Sequence, residues 1–296
     1  MVSVKEYAYA KINLYLDVLN KREDGFHDIK TVMHTVSLCD ELTVSVKRSE
    51  RTSVHLNVVG HSKLPTDSRN LAVRAAEHFL ASTLISAEVD IRLLKRIPIA
   101  AGLAGGSSDA AAVLRALNKA FKRPLTDKRL LELAAELGSD VPYCLIGGTA
   151  LCSDRGERME RLAEGLSLKL VVAIADEYVS TPAAYSELDR IFNDFNSPRD
   201  ESHDRSLDSV LAALTTGTLS HEPLYNIFEN AVFKTCFKAE NIKSQMISMG
   251  ATHSLMSGSG PSVFGIFDNE ALARETVDKL KKQGIRAYYA ETVTRH

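Results

Sequence analysis

One stretch of this chain carries more chemical information than any other: Pro98, Ile99, Ala100, Ala101, Gly102, Leu103, Ala104, Gly105, Gly106, Ser107 and Ser108, followed at once by Asp109 and a run of alanines. Glycines permit positive φ and close backbone approach, while the free amides and dipole at a helix start attract an anion. The residue types therefore point to a phosphate cradle between a strand and a helix. Ser107 and Ser108 add hydroxyl donors for phosphate oxygens, and either can reach a magnesium ion. The spacing lacks the G-K-[ST] ending of a Walker loop and does not fit the dinucleotide fingerprint G-x-G-x-x-G. A tight glycine turn with a serine N-cap and no ligand is the bland alternative. Asp109 must point away or cap the helix, because a carboxylate one turn from a triphosphate repels it.

Three further places could complete a site. In Gly138-Ser139-Asp140-Val141-Pro142 a helix is expected to end and the proline to hold the chain extended, displaying Asp140. A carboxylate there can orient a hydroxyl, or take its proton, as it attacks a γ-phosphoryl group, although an Asp after a glycine is commonly a plain turn residue. Lys11 is the cation that could keep such an aspartate ionised and offset charge on a transferring phosphoryl group. Ser257-Gly258-Ser259-Gly260-Pro261-Ser262 holds more glycine than a hairpin requires, so it either approaches a ligand or the first glycine loop closely, or is a bulged hairpin.

The elements that must position these residues can be read from periodicity. Alternation from Tyr7 to Asp17 sets Ala8, Ala10, Ile12, Leu14 and Leu16 opposite Tyr7, Tyr9, Lys11, Asn13 and Tyr15, a half-buried strand with a polar second face. Strand periods recur at Leu42/Val44/Val46, Val54/Leu56/Val58 and Val89/Ile91/Leu93. Helical spacing covers 70–81 and 108–120, and Thr126 caps a helix ending near Gly138, read as a left-handed terminus. The polar stretch 192–208 reads as an exposed loop or insertion. Beyond it come helical patterns at 226–237 and 242–249, strands at 251–256 and 263–267, a helix to Gln283 and a closing strand, an α+β sandwich.

Composition sets the outer limits. The 296 residues, 45% hydrophobic, can fill substantial cores. A formal net charge of −2 with 25% charged residues provides no field for DNA, RNA or an anionic membrane. Cys39, Cys144, Cys152 and Cys236 lack zinc-ligand spacing and read as reduced thiols. The N-terminus lacks the pattern of a signal peptide, and the apolar run at 170–175 is too short to span a bilayer, so a cytoplasmic location is the expectation.

Taken in order, the polar first-strand motif, the central glycine-serine loop and the late glycine loop resemble the GHMP kinase superfamily. Ala10-Lys11-Ile12-Asn13-Leu14, then Lys21-Arg22-Glu23-Asp24-Gly25-Phe26-His27 and Thr31-Val32-Met33, resemble its branch that phosphorylates a cytidine-diphosphate-linked methylerythritol in the non-mevalonate isoprenoid pathway. The resemblance covers essentially the whole chain. It implies an α+β fold of two domains, an N-terminal, ATP-binding domain over 1–156 like ribosomal protein S5 domain 2 and a C-terminal ferredoxin-like α/β sandwich over 157–296. It implies ATP and Mg²⁺, with unknown metal ligands, and a small-molecule acceptor phosphorylated on its 2-hydroxyl, in a monomer or homodimer without nucleic-acid or membrane partners. Asp140 is the implied base, Lys11 its catalytic partner and 98–108 the phosphate cradle. Asn13 would help hold the substrate, and His27 would bond the cytosine edge between the rings of Phe26 and Tyr185.

Three positions depart from the resemblance. Phe26 stands where tyrosine is common, Ala104 replaces a frequent glycine and is harmless if its φ is negative, and the insertion near Asn196 has no assigned pattern. Kinases of mevalonate, homoserine or a sugar are the rivals within the class, and a catalytically silent nucleotide-binding or regulatory protein that keeps the same fold is the rival of a different class. Gly25-Phe26-His27 with Tyr185 argues against the former, Lys11 with Asp140 against the latter.

Overall fold

Turn formers at 20–25 reverse the chain between two long antiparallel strands, β1 (Val2–Lys21) and β2 (His27–Arg48), in the computed structural model, which describes all residues except 62, 163–165, 193–201, 220–223 and 294–296. Next come β3 (Ser53–Val59), α1 (Leu71–Thr83), β4 (Ala87–Leu94), α2 (Gly105–Ala120), α3 (Asp127–Leu137), α4 (Val141–Ile146), β5 (Thr149–Ser153) and β6 (Arg158–Arg161). The first sheet runs β3-β4-β2-β1, with β5 paired to β2 and β6 to β5. Its outer strand on the β1 side is β8 (Tyr225–Asn226), contributed by the second half of the chain and parallel to β1.

The second sheet contains β7 (Lys169–Ile174), β9 (His253–Met256), β10 (Ser262–Phe267) and β11 (Arg286–Glu291) in the order β11-β7-β10-β9, every neighbouring pair antiparallel. With α5 (Thr181–Ile191), α6 (Ser202–Thr216), α7 (Glu229–Val232) and α8 (Phe237–Ser248) between β7 and β9, and α9 (Glu270–Lys282) before β11, this is the ferredoxin-like arrangement.

Strand β1 is buried on both faces from Lys11 to Val18, where the alternation reads as half-buried. Ala8 joins the core formed with α1, α2 and α3, whereas Ala10, Ile12, Leu14 and Tyr15 pack with Leu170, Val172 and Phe264 of the second sheet. Irregularities in the β1–β2 register at Tyr9/Lys11 and Asn13/Tyr15 re-aim the side chains between them. The strand carrying Lys11 is thereby fixed by packing from two cores.

Five local expectations are corrected. Helix α2 begins at Gly105, a turn before the alanine run. Gly138 has φ 166°, extended rather than left-handed. The 141–146 segment is helical, because Pro142 sits in the first turn, where a missing N–H is no loss and φ is preset. From Ser202 the stretch read as a loop is helix α6, whose Leu207, Val210 and Leu214 recur at helical spacing and are buried; residues 193–201, with Asn196, lie outside the described residues. The pattern at 226–237 resolves into the end of β8, the single turn α7 and the start of α8.

Candidate active site

Residues 98–107 all face a cavity of about 360 Å³ that also includes Leu64, Pro65, Leu71 and Lys95. The first amides of α2 have no acceptor one turn back and carry the positive end of its dipole. Ala100 and Ala104 adopt left-handed φ of 52° and 55°, so the condition under which alanine at 104 is harmless is not met. Non-glycine residues in this region cost roughly 1–2 kcal/mol each, and the loop holds them there through its contacts. Gly102 has no room for a side chain without the loop shifting: at φ +73° a Cβ would lie 2.1 Å from the carbonyl oxygen of Ser257. The two glycine loops therefore touch backbone to backbone, joined also by Ser257 Oγ donating to Gly102 O at 3.1 Å and by Ser262 Oγ donating to Ala101 O. Ser108 is turned away, its hydroxyl donating to the Tyr9 carbonyl, which leaves Ser107 as the hydroxyl on the cavity side.

A second, larger cavity of about 870 Å³ shares Ala100, Gly102, Ala104 and Ser107 with the first and continues past Lys11, Asn13, Asp140 and Gly258–Gly260. Lys11 is 4% exposed and donates to Asn13 Oδ1 at 2.7 Å and to Gly102 O at 2.8 Å. Burial holds its ammonium below the usual lysine range, against the opposing pull of the Asp140 carboxylate. Asp140 occupies the N-cap position of α4 without a side-chain capping bond, so its carboxylate is uncommitted to the helix. Asn13 is a structural bolt: Oδ1 also accepts from the Gly258 amide at 2.9 Å, and Nδ2 donates to Thr31 Oγ1 at 2.8 Å.

At the far end of this cleft stand Phe26, His27 and Tyr185. Tyr185 stacks on the His27 ring with centroids 4.7 Å apart and meets Phe228 edge-on at 4.9 Å. Burial, with a smaller push from Asp140, raises the Tyr185 phenol to about 12. Phe26 is 56% exposed, with the Arg155 guanidinium over its ring at 4.9 Å. His27 Nε2 lies 2.6 Å from Asp189 Oδ1, and Lys21 Nζ donates to Asp189 Oδ2 at 2.6 Å. Burial works against ionisation of Asp189, yet Lys21 and His27 together hold it below the usual carboxylate range.

Sequence reasoning missed the group beneath the phosphate loop. Asp109, which lines the smaller cavity together with Lys95, is paired with that lysine at 2.6 Å, and Lys95 is paired at 2.5 Å with Asp40, all three buried. Asp40 Oδ1 also accepts the Ile97 amide at 2.8 Å, pinning the chain where the loop begins. Burial foremost, with Asp40 adding to it and Lys95 opposing, pushes the Asp109 carboxyl well above the ordinary range. Asp189 and Asn226 were missed as well. No cluster of three His, Cys, Asp or Glu residues suited to a metal exists among the described residues.

Comparison with known proteins gives a consistent picture. The family models described as "GHMP kinases N terminal domain" and "GHMP kinases C terminal" match residues 70–148 and 207–286. The chain is 40% identical over 276 residues, 93% of its length and 91% of the relative's, to a 4-diphosphocytidyl-2-C-methyl-D-erythritol kinase of Caldicellulosiruptor saccharolyticus. It is 38% identical over 293 residues to the protein of the same name from Clostridium beijerinckii, covering 98% of this chain and all of that one. A crystal structure of 4-(cytidine 5'-diphospho)-2C-methyl-D-erythritol kinase superimposes with a TM-score of 0.80 at 33% identity over 98% of this chain and 99% of the other. Homoserine kinase from Cytophaga hutchinsonii, at 20% identity and a TM-score of 0.72 over 99% and 95% of the two chains, shares the fold.

Proposed function

Because this chain belongs to the 4-diphosphocytidyl-2-C-methyl-D-erythritol kinases, a branch of the GHMP kinase family, we propose that it transfers the γ-phosphoryl group of ATP to the 2-hydroxyl of 4-diphosphocytidyl-2-C-methyl-D-erythritol. One observation carries this reading: the glycine-serine loop, Lys11 and Asp140 line a single cleft whose other end presents Phe26, His27 and Tyr185.

The adenosine portion fits the smaller cavity beside Leu64, Pro65 and Leu71, with the triphosphate across the start of α2. The acceptor extends along the larger cavity, its cytosine near Phe26, His27 and Tyr185 and its diol beside Asp140. As the hydroxyl oxygen bonds to the γ-phosphorus, the bond to the β-bridging oxygen breaks and ADP leaves. Asp140 accepts the hydroxyl proton, and the Lys11 ammonium offsets charge on the transferring group. Lys11, tied to Asn13 and Gly102, is held ready for that position before substrate arrives. Asn13 acts by holding Lys11 and Gly258 as much as by facing substrate.

The Ser107 hydroxyl at the cavity wall suits a Mg²⁺ ion that arrives on the triphosphate and keeps most of its ligands as phosphate and water. Such an ion supplies charge neutralisation on the β- and γ-phosphates. Ser108 is spent on Tyr9.

The test is an ADP-release assay with the cytidine diphosphate substrate, run in parallel with mevalonate and homoserine. Turnover of the cytidine compound alone is expected. Turnover of mevalonate or homoserine with none of the cytidine compound overturns the substrate assignment while leaving the superfamily chemistry.

A further inference from the structure

Two side chains that take no part in the chemistry above, the buried Asn226 and the largely buried Glu229, grip the glycine loop around 257–262 from beneath. Asn226 is 2% exposed, and its Nδ2 donates to two carbonyls of that loop, Met256 O at 2.7 Å and Gly258 O at 2.9 Å. Its Oδ1 accepts the Phe228 amide at 3.0 Å, so the orientation of the side-chain amide is fixed. Glu229 accepts the Met256 amide at 2.8 Å and is ion-paired with Lys243. The backbone polar groups at the base of the loop are thus satisfied by side chains of the Asn226–Glu229 segment.

The other end of the same loop leads to the reaction centre. The Gly258 amide donates to Asn13 Oδ1, the oxygen that also accepts from Lys11 Nζ. Gly258 has φ +57°, and a Cβ there would lie 3.0 Å from Gly102 O and 3.1 Å from Lys11 Nζ. Asn226 itself sits on β8 in parallel register with Leu16 of β1, the strand that carries Lys11 and Asn13. One asparagine therefore clamps the loop onto the strand whose lysine the loop touches.

We infer that Asn226, supported by Glu229, is a positioning residue for phosphoryl transfer: by holding the carbonyls of Met256 and Gly258 it sets the loop backbone on both sides of the Gly258 amide, which sets the Asn13 side chain, which sets the Lys11 ammonium. The inference rests on the kinase reading of Lys11. A residue acting this way affects the transition state more than the binding of either substrate, since Asn226 touches neither the first amides of α2 nor the Phe26, His27 and Tyr185 end of the cleft, while its loop reaches Lys11 through Asn13.

The test compares Asn226→Ala and Asn226→Asp with the parent enzyme and with Asn269→Ala. Aspartate keeps the volume and the Phe228 acceptor but cannot donate to the two carbonyls, so it remains informative if the alanine variant fails to fold. Asn269 caps α9 by accepting the Leu272 amide, far from the cleft, and serves as the control for a lost side-chain-to-backbone bond. Expected for the Asn226 variants is a kcat about 10- to 100-fold lower with KM for both substrates within about threefold. The alkaline limb of kcat should move to lower pH, because Lys11 loses an acceptor that favours its charged form. Asn269→Ala should change melting temperature alone. A normal kcat and pH limb in both Asn226 variants, or losses that merely track the folded fraction, overturn the inference. If the parent enzyme releases no ADP, the kinase reading fails instead. The Lys11 pKa, read from its ¹³Cε shift in parent and Asn226→Asp, then decides positioning by itself: an unshifted value refutes it.

Discussion

Asp140 and Lys11, the proposed base and its partner, differ in environment. Lys11 is buried and bonded to two oxygens, whereas Asp140 stands at the start of α4 with no capping bond to satisfy. That difference makes the aspartate separable from the fold. Asn caps helices as well as Asp does, so Asp140→Asn should fold with an unchanged melting temperature and nearly unchanged KM while kcat drops about 10²- to 10⁴-fold, the usual contribution of a positioned base. Steady-state kinetics with the cytidine substrate check this, and near-normal turnover removes Asp140 from the mechanism. The same substitution also removes the carboxylate that raises the Lys11 pKa against burial. The lysine should therefore titrate at lower pH in the variant, which a ¹³C-labelled lysine spectrum can read.

The glycine-serine loop at 98–108 shows how an element can be strained locally and still be well determined. Ala104 is left-handed at the N-cap of α2, while Gly102 fills a gap that admits no side chain. Ala104→Gly should stabilise the protein by about 1 kcal/mol, the left-handed penalty partly offset by the greater freedom of glycine in the unfolded chain. Gly102→Ala should cost about 1–3 kcal/mol by overpacking against the Ser257 carbonyl. Urea unfolding of the two variants measures both, and a destabilised Ala104→Gly would show that the loop relaxes in solution. The glycine loops were legible because their residue types announce positive φ and anion binding. Which residues take the left-handed turns was not, since two of them, Ala100 and Ala104, are alanines, a residue type that does not announce positive φ. Helix α4 was hidden because a proline's effect depends on whether it falls inside or after a first turn. The Asp40–Lys95–Asp109 group was hidden because a lone lysine ending a strand carries no sign of partners distant in sequence. Asn226 was read as part of a helix, and nothing local marks an asparagine that bonds a loop thirty residues on.

The molecule as a whole is tied together through its first sheet, which borrows β8 from the second half and packs β1 between two cores. A buried histidine in that sheet makes the stability of the entire fold depend on pH. His34 on β2 is 1% exposed and opposite Thr149 of β5, whose hydroxyl lies 2.7 Å from its Nδ1; its Nε2 has no partner. Burial lowers its pKa from 6.5 to about 4. The unfolded chain therefore binds a proton near pH 6.5 that the folded chain refuses until about pH 4. The contribution of this residue to stability is whole above the unfolded value and is lost as pH falls between the two, by at most about 3 kcal/mol. Asp109 and Glu229, whose carboxyls burial pushes upward, respond to acid in the opposite direction. Acid sensitivity of the parent protein is accordingly a balance, and the histidine must be isolated by difference. His34→Leu keeps the volume apolar and leaves the two carboxyls in place. Its loss of the Thr149 contact costs the same at every pH. The stability gap between parent and variant should therefore narrow, or reverse in favour of the variant, as the pH of a urea titration is lowered from about 7.5 to about 5. A gap constant with pH would mean that His34 titrates in the fold as it does in the open chain, and a gap that widens as pH falls would mean that the fold holds it protonated.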